Sequence, residues 1–406
     1  LAVFPGKSLE GLKARHPFID RDSPFVLAEY VSLEDGTGAV HTAPGHGHDD
    51  FLTGLAYGLD IYAPIDDEGR FTAEVAQYAG LNVFKANRII LDDMKKEGSL
   101  LQEGTIAHSY PHCWRCKNPV VFRATAQWFI GMDQAGLRAK ALAAIKSVRW
   151  IPAWGEERIS LMMENRPDWC ISRQRSWGVP IPAFECRACG QVVADGTIAR
   201  FVADIFEARG SNAWFERQAV ELLPPGTTCP KCGSADLAKE NNILDVWFES
   251  GASQAILGKR SDLPWPADVY IEGHDQHRGW FNSSMVIGVG AKGGSPYKTC
   301  ITHGFVLDAQ NRAMSKSSGN VIEPKEIIAR GGAEVLRLWV AMMNFKEDAP
   351  YGPEIEQRIV EAYRKIRNTW RFLLGNLSDF SPKRDAVAPA DLEPLDRWAL
   401  QRWDDV

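Results

Sequence analysis

Six of the eight cysteines stand in three C-x-x-C pairs: Cys113 with Cys116, Cys186 with Cys189, and Cys229 with Cys232. A chain of 406 residues builds a core without disulfide staples, and nothing marks it as secreted. The pairs therefore read as metal ligands kept reduced, as in the cytoplasm. Cys186-Arg-Ala-Cys189 and Cys229-Pro-Lys-Cys232 lie 39 residues apart, and each is followed at once by glycine, Gly190 or Gly233. Trailing glycines let backbone amides turn toward the sulfurs. Four thiolates then complete the tetrahedral shell of a closed structural Zn²⁺ site. Iron is the other metal that four thiolates accept. Cys113-Trp-Arg-Cys116 reads as half of a second such site. His108 and His112 are close by, but adjacent His112 and Cys113 are awkward co-ligands. Cys170 and Cys300 stand alone and read as buried thiols.

The second chemically specific stretch is Arg312-Ala-Met-Ser-Lys-Ser-Ser-Gly-Asn320. Lys316, flanked by Ser315, Ser317 and Ser318 and followed by Gly319, makes a cationic, hydroxyl-rich loop. Such a loop can close over a polyphosphate and neutralise charge that grows in a transition state. By itself it is also a common solvated turn. Upstream, Thr302-His-Gly-Phe-Val306 reads as strand and Asp308-Ala-Gln-Asn-Arg312 as turn. His46 and His48 have a spacing open to two readings, metal ligation or loop hydrogen bonding.

The elements that must position these groups follow from periodicity. In residues 1–145, short β-rich runs (25–31, 38–42, 81–84) alternate with a helix over 86–98, a compact α+β or barrel-like region. Trp150-Ile-Pro-Ala-Trp154 marks a passage onward. A helix over 158–165 and a strand over 169–171 follow. Residues 186–242 are a cysteine-bounded insertion. Strand-like runs at 244–248, 269–272 and 299–307, with a helix over 280–290, predict a parallel α/β sheet. Helices are expected over 326–343 and 353–377. On the second, Ile359, Tyr363, Ile366, Trp370, Leu373 and Leu377 form the apolar stripe. Arg358, Arg364, Lys365, Arg367 and Arg371 form either a solvated face or one that meets RNA phosphate.

Composition bounds the rest. Lys plus Arg number 46 against 52 Asp plus Glu, a net charge of −6. That excludes binding by bulk positive charge but not a local basic surface. With 45% hydrophobic and 24% charged residues the chain is globular rather than fibrous or disordered. No apolar run is long enough to span a membrane, and no targeting pattern opens the chain.

Together the motifs resemble a family. The 312–320 loop resembles the KMSKS loop of class I aminoacyl-tRNA synthetases. Four further segments agree: Asp168-Trp-Cys-Ile-Ser-Arg-Gln-Arg-Ser-Trp-Gly-Val-Pro-Ile-Pro182, Leu244-Asp-Val-Trp-Phe-Glu-Ser-Gly251, Tyr270-Ile-Glu-Gly-His-Asp-Gln-His-Arg-Gly-Trp-Phe281, and the 36–50 segment that ends Gly-His-Gly-His-Asp-Asp50. They are similar to the isoleucyl branch, and Asp275 to Phe281 sets them apart from the valyl and leucyl branches. The resemblance runs from near residue 20 to about 400.

It implies the second half of a Rossmann-like nucleotide-binding catalytic domain. Beside it are expected part of a β-barrel-like editing domain (1–145), a catalytic segment (146–185), a zinc-binding insertion (186–242), the rest of the catalytic domain (243–325), and a stem-contact region opening a helical anticodon-binding domain (326–406). It implies that Glu272, Gly273, Asp275, Gln276 and His277 line the adenylate site, that Trp247 and Trp280 wall the amino-acid side chain, and that His303 and Gly304 lie near adenine. Lys316, Ser315 and Ser317 would meet the ATP phosphates. ATP with Mg²⁺, isoleucine, its tRNA and structural zinc are the implied ligands, with no membrane and a monomeric enzyme expected. The family loop begins with lysine where this chain has Ala313, so one cationic contact is missing unless Arg312 replaces it.

The 36–50 segment is similar to the family's editing site, with Asp50 on the substrate ammonium and His41 excluding isoleucine. One methylene separates isoleucine from valine by only ~1–3 kcal/mol, the standard case for a second, hydrolytic site. The family's His-x-Gly-His motif, a threonine-rich editing strand and the partner of Cys113 and Cys116 are not found. The chain is therefore expected to be an internal fragment that does not activate an amino acid alone. The competing expectations are a stand-alone editing hydrolase, a zinc-containing tRNA-binding module, or a valyl enzyme.

Overall fold

The computed structural model describes residues 4–32, 37–113 and 116–404; Gly36, the Trp114-Arg115 centre of the first cysteine pair and the Ser317 side chain fall outside the described set. The chain divides into two compact units, Leu1–Gln127 and Trp128–Val406.

The second unit is built on three parallel strands in the order Ala267–Gly273, Tyr297–His303, Arg149–Ile151. Parallel neighbours need a crossover, and the helix Trp280–Lys292 lies in it. This helix is apolar on nearly every side and buries Phe281, Met285, Val286 and Val289 together with Asn282, Ser283 and Ser284. Those apolar side chains share one core with Trp150, Tyr270, Tyr297 and Cys300 of the sheet. Ile145 of the helix Leu137–Lys146, and Ile159 and Met163 of the helix Trp154–Glu164, complete it. The helix Val246–Ala252 approaches at Gly251, where an added Cβ would lie 2.7 Å from the Ser283 backbone. The sheet strand Arg149–Ile151 and the helix beginning at Trp154 occupy the expected passage at 150–154.

Residues 184–239 enclose a core of their own, around Phe184, Ile198, Val202, Trp214, Leu222 and Leu237. Its sheet is antiparallel, with Phe184–Cys186 between Val192–Val193 and Leu237–Lys239. A third core, Ile327, Val335, Trp339, Tyr351 and Ile359, joins the helices Pro324–Gly331, Ala333–Met342 and Pro353–Asn376. The apolar stripe of the last helix is buried at Ile359 but exposed at Ile366, Trp370, Leu373 and Leu377.

In the first unit, among the described residues, Lys13–Arg15 pairs antiparallel with Asp22–Pro24, and helices cover His48–Tyr57 and Val83–Lys96. Several expectations are corrected. The runs 25–31 and 38–42 form no strand among the described residues; β-branched residues alone do not make one without a ladder partner. Residues 81–84 open a helix instead, because the Asn82 side chain accepts the Phe84 N–H and caps it. The run 244–248 is strand only over Ile243–Leu244, since Asp245 caps the helix that follows. The helix expected over 326–343 is two, broken at Gly332, whose φ is +85°.

Candidate functional site

The carboxyl ends of parallel strands are where an open α/β sheet leaves a crevice. Gly273 and His303 are register partners at the ends of adjacent strands, and Glu272 pairs with Thr302. The strand ending at Gly273 turns through His274–His277 directly into the helix starting at Trp280. Sequence-distant groups thus converge on one rim. Glu272 Oε1 accepts the Gly273 N–H at 3.0 Å and lies 3.7 Å from His303 Nε2. His303 Nδ1 lies 2.8 Å from the Gly304 carbonyl, which can only accept, so Nδ1 carries the proton. Asp275 is exposed, and its Oδ2 accepts from Gln276 Nε2 at 3.2 Å. Gln276 Oε1 accepts the Trp280 N–H at 2.9 Å and satisfies an orphan donor of the helix start.

The two tryptophans flank that helix start. Trp280 stacks on Tyr270 at 4.1 Å and 13° and donates Nε1–H to Ser250 O at 3.1 Å. The Trp247 ring lies against Gly279, where a Cβ would come within 2.9 Å of it, and Trp247 remains 44% exposed. His277 is placed differently from its neighbours. It is fully buried, stacked on Trp150 at 6.0 Å and edge-on to Phe281, with Nδ1 donating to His274 O at 3.0 Å. Burial lowers its pKa from 6.5, and Nε2 has no partner among the described residues. Gly304 is pressed by the protein's own backbone: an added Cβ would lie 2.2 Å from Glu347 O.

The Lys316 loop follows the short strand Val306–Leu307, which pairs with Ala349–Pro350. The Ser315 side chain accepts the Ser318 N–H at 3.2 Å and caps a single 3₁₀ turn, Lys316–Ser318. Lys316 is exposed and, among the described residues, its ammonium has no hydrogen-bond or ion-pair partner. Arg312 is not in that position. Its Nε and Nη2 both reach Asp308 Oδ2 at 2.9 Å.

In the first unit, Asp50 lies in the first turn of the helix His48–Tyr57, where the helix dipole favours a carboxylate. Its Oδ1 accepts from Tyr30 Oη at 3.2 Å and its Oδ2 from Ala43 N at 3.1 Å. His41 is exposed. His46 Nδ1 donates to Phe122 O at 2.8 Å, and neither His46 nor His48 joins a metal-competent group among the described residues.

The four cysteines of the insertion converge. Their Sγ atoms all lie within 4.8 Å of one another, with Cys186 to Cys232 at 3.5 Å and Cys189 to Cys229 at 3.6 Å. A tetrahedron with ~2.3 Å metal–sulfur arms has edges of ~3.8 Å, so the donor set fits zinc. Gly190 and Gly233 take φ of +67° and +77°, and their amides bond back to Cys186 O and Cys229 O at 2.8 and 2.9 Å. Burial opposes ionisation of Cys229, yet the amides of Cys232 and Lys231 bring its thiol down to about 6. The Ser234 amide favours the Cys232 thiolate, but the neighbouring sulfurs push that thiol up to about 12. Cys113 and Cys116 sit on a turn in the first unit, and no second group of three ligating side chains forms among the described residues.

Sequence reasoning placed Asp308 and Asn320 at the ends of the loop but gave them no role in holding it, and it gave none to Tyr30 beside Asp50 or to Gln276 at the helix start. The Asp308-x-x-x-Arg312 spacing was the one local signal for the first. Tyr30 and Asp50 are brought together only by folding.

Residues 28–351 match the family described as tRNA synthetases class I (I, L, M and V). The isoleucine–tRNA ligase of Syntrophotalea carbinolica is 54% identical over 407 residues, 100% of this chain and 44% of its own. That of Kosmotoga olearia is 55% identical over 398 residues, 98% and 43% respectively. That of Geobacter sulfurreducens is 53% identical over 403 residues, 99% and 44%. The chain thus spans less than half the length of these relatives. A solved chain from the Agrobacterium radiobacter K84 LeuRS–tRNA–LeuAMS complex aligns with 55% of this chain and 32% of its own, at 21% identity and a TM-score of 0.38, too loose a likeness to argue from.

Proposed function

Because the chain belongs to the class I tRNA synthetases of the I, L, M and V group, we propose that it carries the second half of the adenylate site of an enzyme that joins isoleucine to its tRNA. The observation that carries this reading is the meeting of Glu272, Gly273, Asp275 and Gln276 with His303 and Gly304 at adjacent strand ends, beside the start of the helix Trp280–Lys292. In the reaction, the isoleucine carboxylate attacks the α-phosphorus of ATP and the bond to pyrophosphate breaks. A terminal ribose hydroxyl of tRNA then attacks the acyl carbon of the adenylate, and AMP leaves.

Glu272 and Asp275 offer acceptors for the substrate ammonium and ribose hydroxyls, and Gly273 permits close backbone approach. Trp247 and Trp280 supply flat apolar walls for a branched side chain. His303 and Gly304 lie toward adenine. His277 serves this rim from inside the core by holding the 274–277 turn. Lys316 neutralises charge on the departing pyrophosphate, whose Mg²⁺ arrives with ATP, and the hydroxyls of Ser315 and Ser317 donate hydrogen bonds to it. Asp50 and His41 act in a separate hydrolytic step on misacylated tRNA, where Asp50 binds the ammonium and His41 rejects the larger side chain. Zinc, held by Cys186, Cys189, Cys229 and Cys232, is structural: it ties two knuckles that the small 184–239 core brings together. Cys113 and Cys116 are half of a second metal site. The enzyme is cytoplasmic and monomeric, and no helix among the described residues is long and apolar enough to cross a membrane.

Isoleucine-dependent exchange of pyrophosphate into ATP tests the reading. A polypeptide of the relatives' length exchanges with isoleucine and less well with valine, and this chain alone does not. Valine preference in the long form overturns the isoleucine assignment. Robust exchange by this chain overturns the view that its site is half a site. Hydrolysis of valyl-tRNA by a long form that lacks any exchange favours an editing hydrolase.

A further inference from the structure

We infer that Asp308 and Asn320 are positioning residues for Lys316: they latch the two ends of its loop together and hold Arg312 aside, so the loop presents one acting cation. The inference rests on the phosphate role proposed above for Lys316.

The latch is a dense set of bonds on one shielded carboxylate. The Asp308 side chain is only 6% exposed. Its Oδ1 accepts the amides of Gln310 and Arg312, each at 2.9 Å, and its Oδ2 accepts Arg312 Nε and Asn320 Nδ2, each at 2.9 Å. Asn320 then grips the loop from its far end. Its Nδ2 also reaches Ala313 O at 3.1 Å, and its Oδ1 accepts the Ser315 amide at 2.9 Å. One side-chain amide thus ties the entry limb, the exit limb and the residue before Lys316. A carboxylate with this many donors stays ionised, and its charge cancels that of Arg312. Ala313 stands where the family has lysine, and Arg312 beside it is already engaged. The loop therefore meets phosphate with Lys316 alone, on a base that does not depend on ligand.

Amide hydrogen exchange on a polypeptide of the relatives' length that contains this chain tests this, with wild type, Asp308→Asn, Asn320→Ala and Arg312→Ala, each with and without Mg-ATP. Without nucleotide, Asp308→Asn and Asn320→Ala speed exchange at Ser315 at least tenfold. The strand Tyr297–His303 keeps its protection in both variants, which separates a local opening of the loop from a general loss of fold. Arg312→Ala leaves Ser315 protected, because the Asp308–Asn320 bond survives. Unchanged Ser315 exchange in the first two variants overturns the latch, as does equal acceleration by Arg312→Ala. With Mg-ATP, protection of 315–319 requires at least tenfold more nucleotide in the two latch variants than in wild type; equal requirements overturn the positioning role. If Mg-ATP protects nothing in wild type while the latch variants still free Ser315, the latch stands and the phosphate reading falls.

Discussion

Gly304→Ala separates two reasons for a glycine at the rim. One is close approach of a nucleotide. The other is close approach of the protein to itself. The added Cβ would lie 2.2 Å from Glu347 O, 2.3 Å from Glu347 C and 2.5 Å from Asp348 N. These are backbone atoms, and relief requires the 345–348 segment to shift by about 1 Å to reach normal contact. That segment is held by Gly304 N to Phe345 O at 2.9 Å, Phe305 N to Asp348 Oδ1 at 2.7 Å and Ala349 N to Phe305 O at 2.8 Å. Overpacking costs ~1–3 kcal/mol. Losing one or two of those bonds adds ~1 kcal/mol each, so the expected loss is ~2–5 kcal/mol. Urea unfolding followed by tryptophan fluorescence reads it as a lower midpoint at unchanged slope. A loss below ~0.5 kcal/mol would refute the backbone argument. Unchanged stability with lost ATP binding would assign the glycine to the nucleotide.

Three other outcomes are expected. The purified chain holds about one equivalent of zinc; Cys186→Ser and Cys229→Ser lose it, Cys113→Ser keeps it, and chelation unfolds residues 184–239, since structural zinc contributes ~10–16 kcal/mol of apparent binding energy. Elemental analysis with circular dichroism checks this, and a second equivalent would show that Cys113 and Cys116 bind metal without a further pair. Burial lowers the His277 pKa from 6.5, so the fold favours the neutral ring: its contribution is complete above pH 6.5 and is lost as pH falls from there toward the lowered value. The stability gap between wild type and His277→Gln, measured by urea midpoints, therefore narrows below pH 6.5; a constant gap would contradict it. Trp280→Ala, which removes a stacked and mostly buried ring, costs ~3–5 kcal/mol, whereas Trp247→Ala, 44% exposed, costs ~2–3 kcal/mol by the area it frees. Calorimetry checks both, and a Trp247→Ala loss equal to or larger than that of Trp280→Ala would contradict the difference in burial.

Legibility differed with the range of the interaction. The helix Trp280–Lys292 was visible because its composition is apolar on nearly every side, and the strands Ala267–Gly273 and Tyr297–His303 because each is bounded by glycine or proline. The runs 25–31 and 38–42 misled because strand propensity is realised only when a neighbour supplies ladder bonds. Asp245 and Asn82 changed strand readings into helix starts, through caps that periodicity does not register.

The knuckles with their trailing glycines, the cationic Ser-Lys-Ser loop and the acidic turn before Trp280 are chemistry written in neighbouring residues, and sequence by itself determined them. Their convergence was decided by tertiary structure alone. Cys186 reaches Cys232, and Cys189 reaches Cys229, because the 184–239 core brings the two knuckles together. Gly273 meets His303 because the strands are parallel and in register. The same step withdrew His277 into the core and gave Gly304 to the protein's own backbone. A side chain's type sets what it can bond to. Which partner it takes depends on what the fold brings within about 3 Å, where a hydrogen bond forms, and no local spacing reports that distance.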